Sequence, residues 1–406
     1  MRTVRVSDHG TRKVFHRLAK DIYRNDKNWI CPLSAEIEKI FDPKYNKSFL
    51  AGDAVRWILI NKTGQPIGRI AAFYNRKEAE KWAQVSGGIG FFECINSQKA
   101  ANLLFNQAKL WLASNKIEAM DGPVNFGENM FNWGLLVEGF RQQGYGMQYH
   151  PSYYRILFEN YGFKTFYKQF SYHLDLKKPF PEVFWKVANR VIQKPDIECK
   201  HFNFKQRDKF IHDLIEIYNE TWFTFREESS PIIFEEIVNL LDDAKEFLVE
   251  EFIWFVYKNG EPVCFMVMFP DLNQLLRHIN GELNLYTKLK LLFYSGRKEI
   301  SRARAFAMGI KPKYQRLGFE SAIFWNLKQV FERLDHFHEI ELSWSGDFNP
   351  KIISLYKAAG AVHSKTHHTY RYLFDREKPF ERYQQNSETI VPRRAREKLA
   401  NQIRSK

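Results

Sequence analysis

A hairpin that occurs twice, 196 residues apart, limits this chain more than any other feature. In WILINKTGQPIGRIAAFY, residues 57 to 74, apolar residues alternate on either side of a Thr-Gly-Gln turn, the pattern of a β-hairpin. WFVYKNGEPVCFMVMFP, residues 254 to 270, has the same leading Trp, an Asn-Gly turn and the same Gly-x-Pro restart, and Gly64 and Gly260 mark the spacing. A second pair agrees. ILFENYGFKTFYKQFSYHLD ends at Asp175 and SLYKAAGAVHSKTHHTYRYLFD at Asp375, with Gly162 and Gly360 198 residues apart. Each reads as a helix closed by a C′ glycine, followed by a strand rich in aromatic and β-branched residues. Near-constant spacing across two unrelated motifs indicates a duplicated domain.

The size fits, because 406 residues exceed what one hydrophobic core supports. We place the first domain at 1–176 and a connecting helix or linker at 177–197, where Phe180, Val183, Phe184, Val187 and Val191 share one helical face. The second domain spans 198–376 and a basic tail 377–406. That tail sets Arg393, Arg394, Arg396, Lys398, Arg404 and Lys406 against Glu397, as a solvated terminal helix or an RNA-binding arm. The halves differ by insertions. DLNQLLRHINGELNLYTKLKLLFYSGRKEI precedes the fourth strand of the second copy, and DGPVNFGENMFNWGLLVEGF comes later in the first; solvated helix, packed loop and substrate lid all fit them.

With 44% hydrophobic and 16% aromatic residues the chain is globular. No run approaches the roughly 20 apolar residues that span a bilayer. The N-terminal MRTVRVSDHGTRKVFHRL lacks the apolar core of a secretory signal, so a cytoplasmic protein with no membrane partner is expected. Cys31, Cys94, Cys199 and Cys264 are dispersed, which indicates buried thiols and no metal site or disulfide framework. The formal charge of +14 favours anionic partners: nucleotides, coenzyme phosphates or RNA.

One stretch joins charge to chemistry. MGIKPKYQRLGFESAIFWNLKQVF, residues 308 to 331, runs from a strand through a turn into a helix whose stripe of Ile323, Phe324, Leu327, Val330, Phe331 and Leu334 is core. Bare amides of such a turn, with a glycine at the bend, form an anion site; tight packing of the turn is the other reading. The order within each half is helix, helix, hairpin, strand, helix, strand, helix, strand, an α+β layer. With the turn Gln315, Arg316, Leu317, Gly318, Phe319, Glu320, it resembles the GNAT superfamily of acyl-CoA N-acyltransferases, whose signature is [Arg/Gln]-x-x-Gly-x-[Gly/Ala]. Glu320 departs from that signature. Asn349, Tyr356 and Gly360 in EIELSWSGDFNPKIISLYKAAGAV match the family's closing segment.

The resemblance implies two tandem GNAT-like domains, each a mixed, mostly antiparallel sheet flanked by helices. It implies acetyl-CoA or another acyl-CoA as co-substrate, held by the turn and by backbone groups of Met308, Gly309 and Ile310 between splayed fourth and fifth strands. Asn349 is counted with that coenzyme site. Tyr356 is then the candidate acid for the leaving thiolate, and Glu341 and Asp347 are candidate bases, with surface or capping roles as their alternatives. His363, His367 and His368 do not converge on one metal and read as a polar strand. The first copy has no glycine at its turn, and Phe158 stands where Tyr356 does, so it reads as a structural or substrate-binding partner. Transfer of an acyl group, acetyl being the expectation, to the amine of a small molecule or peptide is the favoured function. A Fem-type transferase using aminoacyl-tRNA and a non-catalytic coenzyme A-binding module are the alternatives.

Overall fold

A computed structural model describes residues 1–127, 131–223 and 233–384. The tail from 385 on, with the arginines and lysines named above, lies outside them. The first half runs β1 (Arg2–Arg5), α1 (His9–Ile22), α2 (Ser34–Ile40), β2 (Gly52–Ile60), β3 (Pro66–Asn75), α3 (Arg76–Ala79), β4 (Ser86–Cys94), α4 (Gln98–Ser114), β5 (Ala119–Gly122), β6 (Leu135–Glu138), α5 (Tyr154–Tyr161) and β7 (Lys164–Asp175). Helix α6 (Glu182–Ile192) connects it to the second half. That half runs β8 (Ile197–His201), α7 (Arg207–Tyr218), α8 (Phe234–Ala244), β9 (Ile253–Lys258), β10 (Glu261–Pro270), α9 (Asn273–Leu276), α10 (Leu285–Gly296), β11 (Arg302–Ile310), α11 (Phe319–Arg333), β12 (Glu339–Gly346), α12 (Pro350–Ala358) and β13 (Val362–Leu373).

The duplicated hairpins are β2–β3 and β9–β10, each antiparallel across its turn, with Gly64 and Gly260 at positive φ (84° and 79°), where a side chain would be strained. Gly162 closes α5 in the left-handed conformation, as its C′ position demands.

The thirteen strands of the described residues form one sheet, and its order is β1-β2-β3-β4-β5-β13-β7-β12-β11-β10-β9-β8, with β6 alongside β13. The halves exchange their last strands. β13 of the second half pairs with β5 of the first (Tyr370↔Gly122), and β7 of the first pairs with β12 of the second (Ile340↔Leu174). β7 and β13 pair with each other at the centre. Among these pairs only β4–β5 and β11–β12 are parallel.

On one face of the second half, α11, α12 and α6 cover an apolar core containing Ala303, Ala305, Ile340, Leu342, Tyr172 and Leu174. The α11 stripe is buried there, with Leu334 at its margin. Helix α6 crosses α11 with Phe184 5.7 Å from the Phe324 ring and Trp185 5.5 Å from Trp325. Its buried residues are Phe184, Ala188 and Val191. Val183, expected on that face, is 73% exposed, because it lies on the outer side of the helix, which meets water.

Candidate active site

β11 and β12 lie side by side only where they begin. Their register covers Arg302↔Glu339, Ala303↔Ile340 and Arg304↔Glu341, and beyond Arg304 no strand of the described residues pairs with the β12-facing edge of β11. The other edge stays bonded to β10 through Met266↔Met308, Phe265↔Gly309 and Cys264↔Ile310. A half-paired strand is a row of N–H and C=O groups open to an extended ligand. In the first half the equivalent edge of β4 is closed: Cys94 N–H donates to Tyr154 Oη (2.8 Å), Tyr153 Oη donates to Cys94 O (2.8 Å), and Val124 N–H donates to Ile89 O (2.8 Å).

Where β11 and β12 part, a small cleft opens on the face away from α11, lined by Trp133, Gly146, Met147, Gln148, Gln169, Arg304, Trp344 and His367. Both halves supply walls, and Trp133 comes from the first-half insertion. Strand alternation explains the polarity. Ala303 and Ala305 turn into the apolar core, while Arg302 and Arg304 turn to the cleft face. Arg302 is neutralised by Asp271 (2.6 Å). Arg304 is 3% exposed, and its Nε and Nη1 have no hydrogen-bond partner among the described residues. Neither has Gln169 Nε2, although Gln169 Oε1 accepts from Thr369 Oγ1 (3.1 Å).

Glu341 and Lys365, each 2% exposed, form an ion pair on this face. Burial alone would raise the Glu341 pKa, but the Lys365 and Arg302 charges outweigh it and hold the carboxylate at about 2. One oxygen, Oε2, remains without a hydrogen-bond partner among the described residues. His367 Nε2 faces Gln148 O at 3.0 Å. Burial, helped by the Lys365 charge, depresses its pKa to about 4, so the imidazole is neutral.

At the turn before α11, Arg316 and Gly318 have positive φ (65° and 83°). A Cβ on Gly318 would lie 2.6 Å from Val187 Cγ1 and 3.4 Å from Val191 Cγ2, so the glycine admits α6. Arg316 and Leu317 face solvent, Phe319 is core, and Gln315 Oε1 accepts from Lys351 Nζ (3.4 Å). Glu320 is a buried-side carboxyl, not a solvent one. Its Oε2 has no hydrogen-bond partner among the described residues, burial raises its pKa, and its charge helps raise that of the buried Cys264 thiol. It therefore points inward, away from the outer face of the turn.

No family profile matches the sequence. Over 363 residues the chain is 25% identical to a protein named bacterial ceramide synthase from Caulobacter vibrioides (strain NA1000 / CB15N), a match covering 88% of this chain and 94% of that protein. A solved tandem GNAT protein from the clavulanic acid biosynthesis pathway superimposes with a TM-score of 0.54 at 9% identity, over 94% of this chain and 99% of that one. The fold is tandem GNAT. A GCN5-related glucosamine N-acetyltransferase region in a fungal multi-domain GH3 beta-N-acetylglucosaminidase also superimposes, with a TM-score of 0.56 at 8% identity over 91% of this chain; the chain spans 38% of that protein.

Within this GNAT fold the sequence-predicted residues fall into two groups. Met308, Gly309 and Ile310 line the half-paired edge, and the 315–319 turn leads into α11 as expected. Tyr356 lies under α12 on the core face, its ring 5.5 Å from Tyr172, and burial raises its pKa, so the hydroxyl keeps its proton. The others have structural partners. Asn349 caps α12, accepting from Ile352 N–H at 3.5 Å. Asp347 accepts from Lys168 N–H (3.2 Å) and pairs with Arg382 (2.5 Å), away from the cleft lining. Glu341 is on the cleft face, but a carboxylate held at about 2 is a poor proton acceptor. The residues that the sequence reading missed are Arg304, Lys365, His367 and Gln169. For Arg304 a signal was present: RARAF places two arginines at period 2 inside a strand expected to be buried. Outside the cleft, the carboxylates of Glu216, Glu220 and Glu261 converge, but Lys311 Nζ sits among them and pairs with all three.

Proposed function

We propose that this chain is an N-acyltransferase that moves an acyl group from a coenzyme A thioester to an amine at the V between β11 and β12. The observation that carries the reading is the contrast between edges: the β11 edge is free to bond a pantetheine arm, while tyrosine hydroxyls and Val124 occupy the β4 edge. Phosphates would lie on the outer face of the turn before α11, where the helix N-terminus favours anions and Arg316 and Lys351 are at hand. Glu320, turned inward, does not oppose them.

The amine enters from the cleft. Glu341 stays ionised, and its Oε2, buried without a hydrogen-bond partner 3.8 Å from Arg302 Nη1, attracts and orients the ammonium. The ammonium gives its first proton to solvent, and as the N–C bond forms and the nitrogen becomes acidic the neutral His367 takes the second on Nδ1, the ring nitrogen turned away from Gln148 O. In that step the amine nitrogen attacks the thioester carbonyl carbon, a β11 amide holds the oxyanion, and the C–S bond breaks. Tyr356 gives its proton to the departing thiolate. Arg304 and Gln169 have donors to spare, so the acceptor they suit carries an oxygen near its amine. An amino alcohol of the kind acylated in ceramide synthesis meets that description.

The test is thiol release from acetyl-CoA and from long-chain acyl-CoA, with mass spectrometry of the product, across a long-chain amino alcohol, a polyamine and an amino acid. An N-acyl amino alcohol is the expected product. Acylation of the polyamine or amino acid alone would overturn the acceptor assignment, and no thiol release above hydrolysis with any amine would overturn the reaction.

A further inference from the structure

Helix α10 exposes apolar side chains that no part of the described chain covers. Of the eighteen large hydrophobic residues exposed among the described residues, six lie between 283 and 293: Leu283, Leu285, Tyr286, Leu289, Leu292 and Phe293, from 45% to 76% exposed. At about 100° per residue, those from 285 to 293 form a continuous arc of roughly 120°. The opposite side of the helix is anchored. Leu291 packs against the buried cluster of Ile30, Leu276 and Ile279, Tyr294 stacks on His278 at 3.7 Å, and Asn284 and Thr287 form a capping box. The apolar arc is therefore a presented face of a fixed helix, not a helix out of place.

Charge identifies what it meets. The helix, LYTKLKLLFYSG, contains no acid. Lys288 and Lys290 border the arc on its two sides, and Arg297 and Lys298 follow the helix end. None of the four has a carboxylate within ion-pair distance among the described residues, while Arg297 lies 4.7 Å over the Phe293 ring. An apolar arc flanked by lysines whose stems can reach along it suits a lipid headgroup boundary with negative charge. A second copy of this chain would bring the same cations against themselves.

We propose that α10 docks the protein onto an anionic membrane surface, lying in the interface without crossing it. This goes beyond the acyl-transfer reading and does not depend on it. The expectation of no membrane partner came from the lack of a spanning run; no described helix is long and apolar enough to cross a bilayer, and a surface helix needs no such length. The docking face belongs to the cleft side of the sheet. Leu291 and Tyr145, the latter next to the cleft-lining Gly146, pack against the same cluster of Ile30, Leu276 and Ile279, and Asp271, the first residue of the insertion, accepts from Tyr145 N–H (2.8 Å).

The experiment is flotation of the full chain with vesicles of phosphatidylcholine alone and of an equal mixture with phosphatidylglycerol. Wild type should float with the mixed vesicles and much less with the neutral ones. L289E/L292E should lose about tenfold or more of its partitioning with an unchanged melting curve, and Leu110→Glu, at another exposed leucine, should float as wild type does. A Leu289→Trp variant gives a reading independent of any loss: its emission should shift to the blue on adding mixed vesicles. Wild type remaining unbound, L289E/L292E floating undiminished, or emission from the Leu289→Trp variant staying unshifted would each overturn the proposal. So would L289E/L292E turning a dimer into a monomer while flotation is unaffected, which would assign the face to a second copy.

Discussion

The two parallel pairs, β4–β5 and β11–β12, start alike and end differently. In both, three residue pairs lie in register, and the partner of the fifth-strand acid is a cation from β13: Arg371 binds Asp121 (2.7 Å), and Lys365 binds Glu341. Then the chains diverge. In the first half Val124 returns to Ile89, a Cβ on Gly90 would lie 2.1 Å from Val124 O, and the start of α5 with its N-cap Tyr153 brings two tyrosines to Cys94. Phe158 fills the remaining volume against Phe92, Phe105 and Phe163. In the second half none of this closure occurs among the described residues, and Tyr356 stands in the place of Phe158. One scaffold thus yields a sealed seam and an open one, and the difference lies in a few side chains rather than in topology.

The largest test of this comparison separates the halves. Residues 198–406 expressed alone should fail to give a monomer with a cooperative melt, because β12 would lose β7 and β13 would lose both β5 and β7. Adding residues 1–197 from a second plasmid should restore a soluble complex. A stable, monomeric 198–406 fragment would show that the strand exchange is dispensable.

Next in size is the residue that distinguishes the two seams. Tyr356→Phe should lower kcat by about 10²- to 10⁴-fold with little change in coenzyme affinity, whereas Phe158→Tyr should create no activity in the sealed half. Equal turnover by Tyr356→Phe and wild type would remove the proposed acid. Lys365→Met should cost about 3–5 kcal/mol in denaturant titration, since Glu341 would remain buried without its cation, and E341Q/K365M should recover most of that loss. A mild effect of the single change would mean that Arg302 suffices as partner.

The smallest effect concerns Glu320. Burial raises its folded-state pKa above the unfolded one, so its contribution is present at low pH and is lost as pH rises through the folded value. Glu320→Gln should therefore raise Tm, by more at mildly alkaline than at mildly acid pH. A gain independent of pH would show that the carboxyl is not titrating in the folded protein.

The repeat, the hairpins and the α11 stripe were legible because local period and turn chemistry encode them, whereas the short strands β1, β6 and β8 lay outside the expected element order. The strand exchange was not legible. KTFYKQFSYHLD and VHSKTHHTYRYL alternate in the same way, and alternation fixes which face a strand buries, not which strand it lies beside. The glycine at 318 was readable as a requirement for a bare Cα, but the group that approaches it, Val187, belongs to a helix distant in sequence. The cleft was hidden for the same reason: Gln169, Arg304 and His367 come from three strands of two halves. His367 in particular sits beside His368 in sequence, yet the two alternate, with His368 Nδ1 facing Thr165 Oγ1 at 3.2 Å while His367 lines the cleft.

Amide hydrogen exchange of the full chain, with and without saturating coenzyme A, tests the central claim most directly. The open seam predicts slowed exchange over residues 305–310 and at the start of α11, with residues 89–94 of the sealed seam unchanged. Protection of 89–94, or no protection at 305–310 once binding is established by calorimetry, would contradict it.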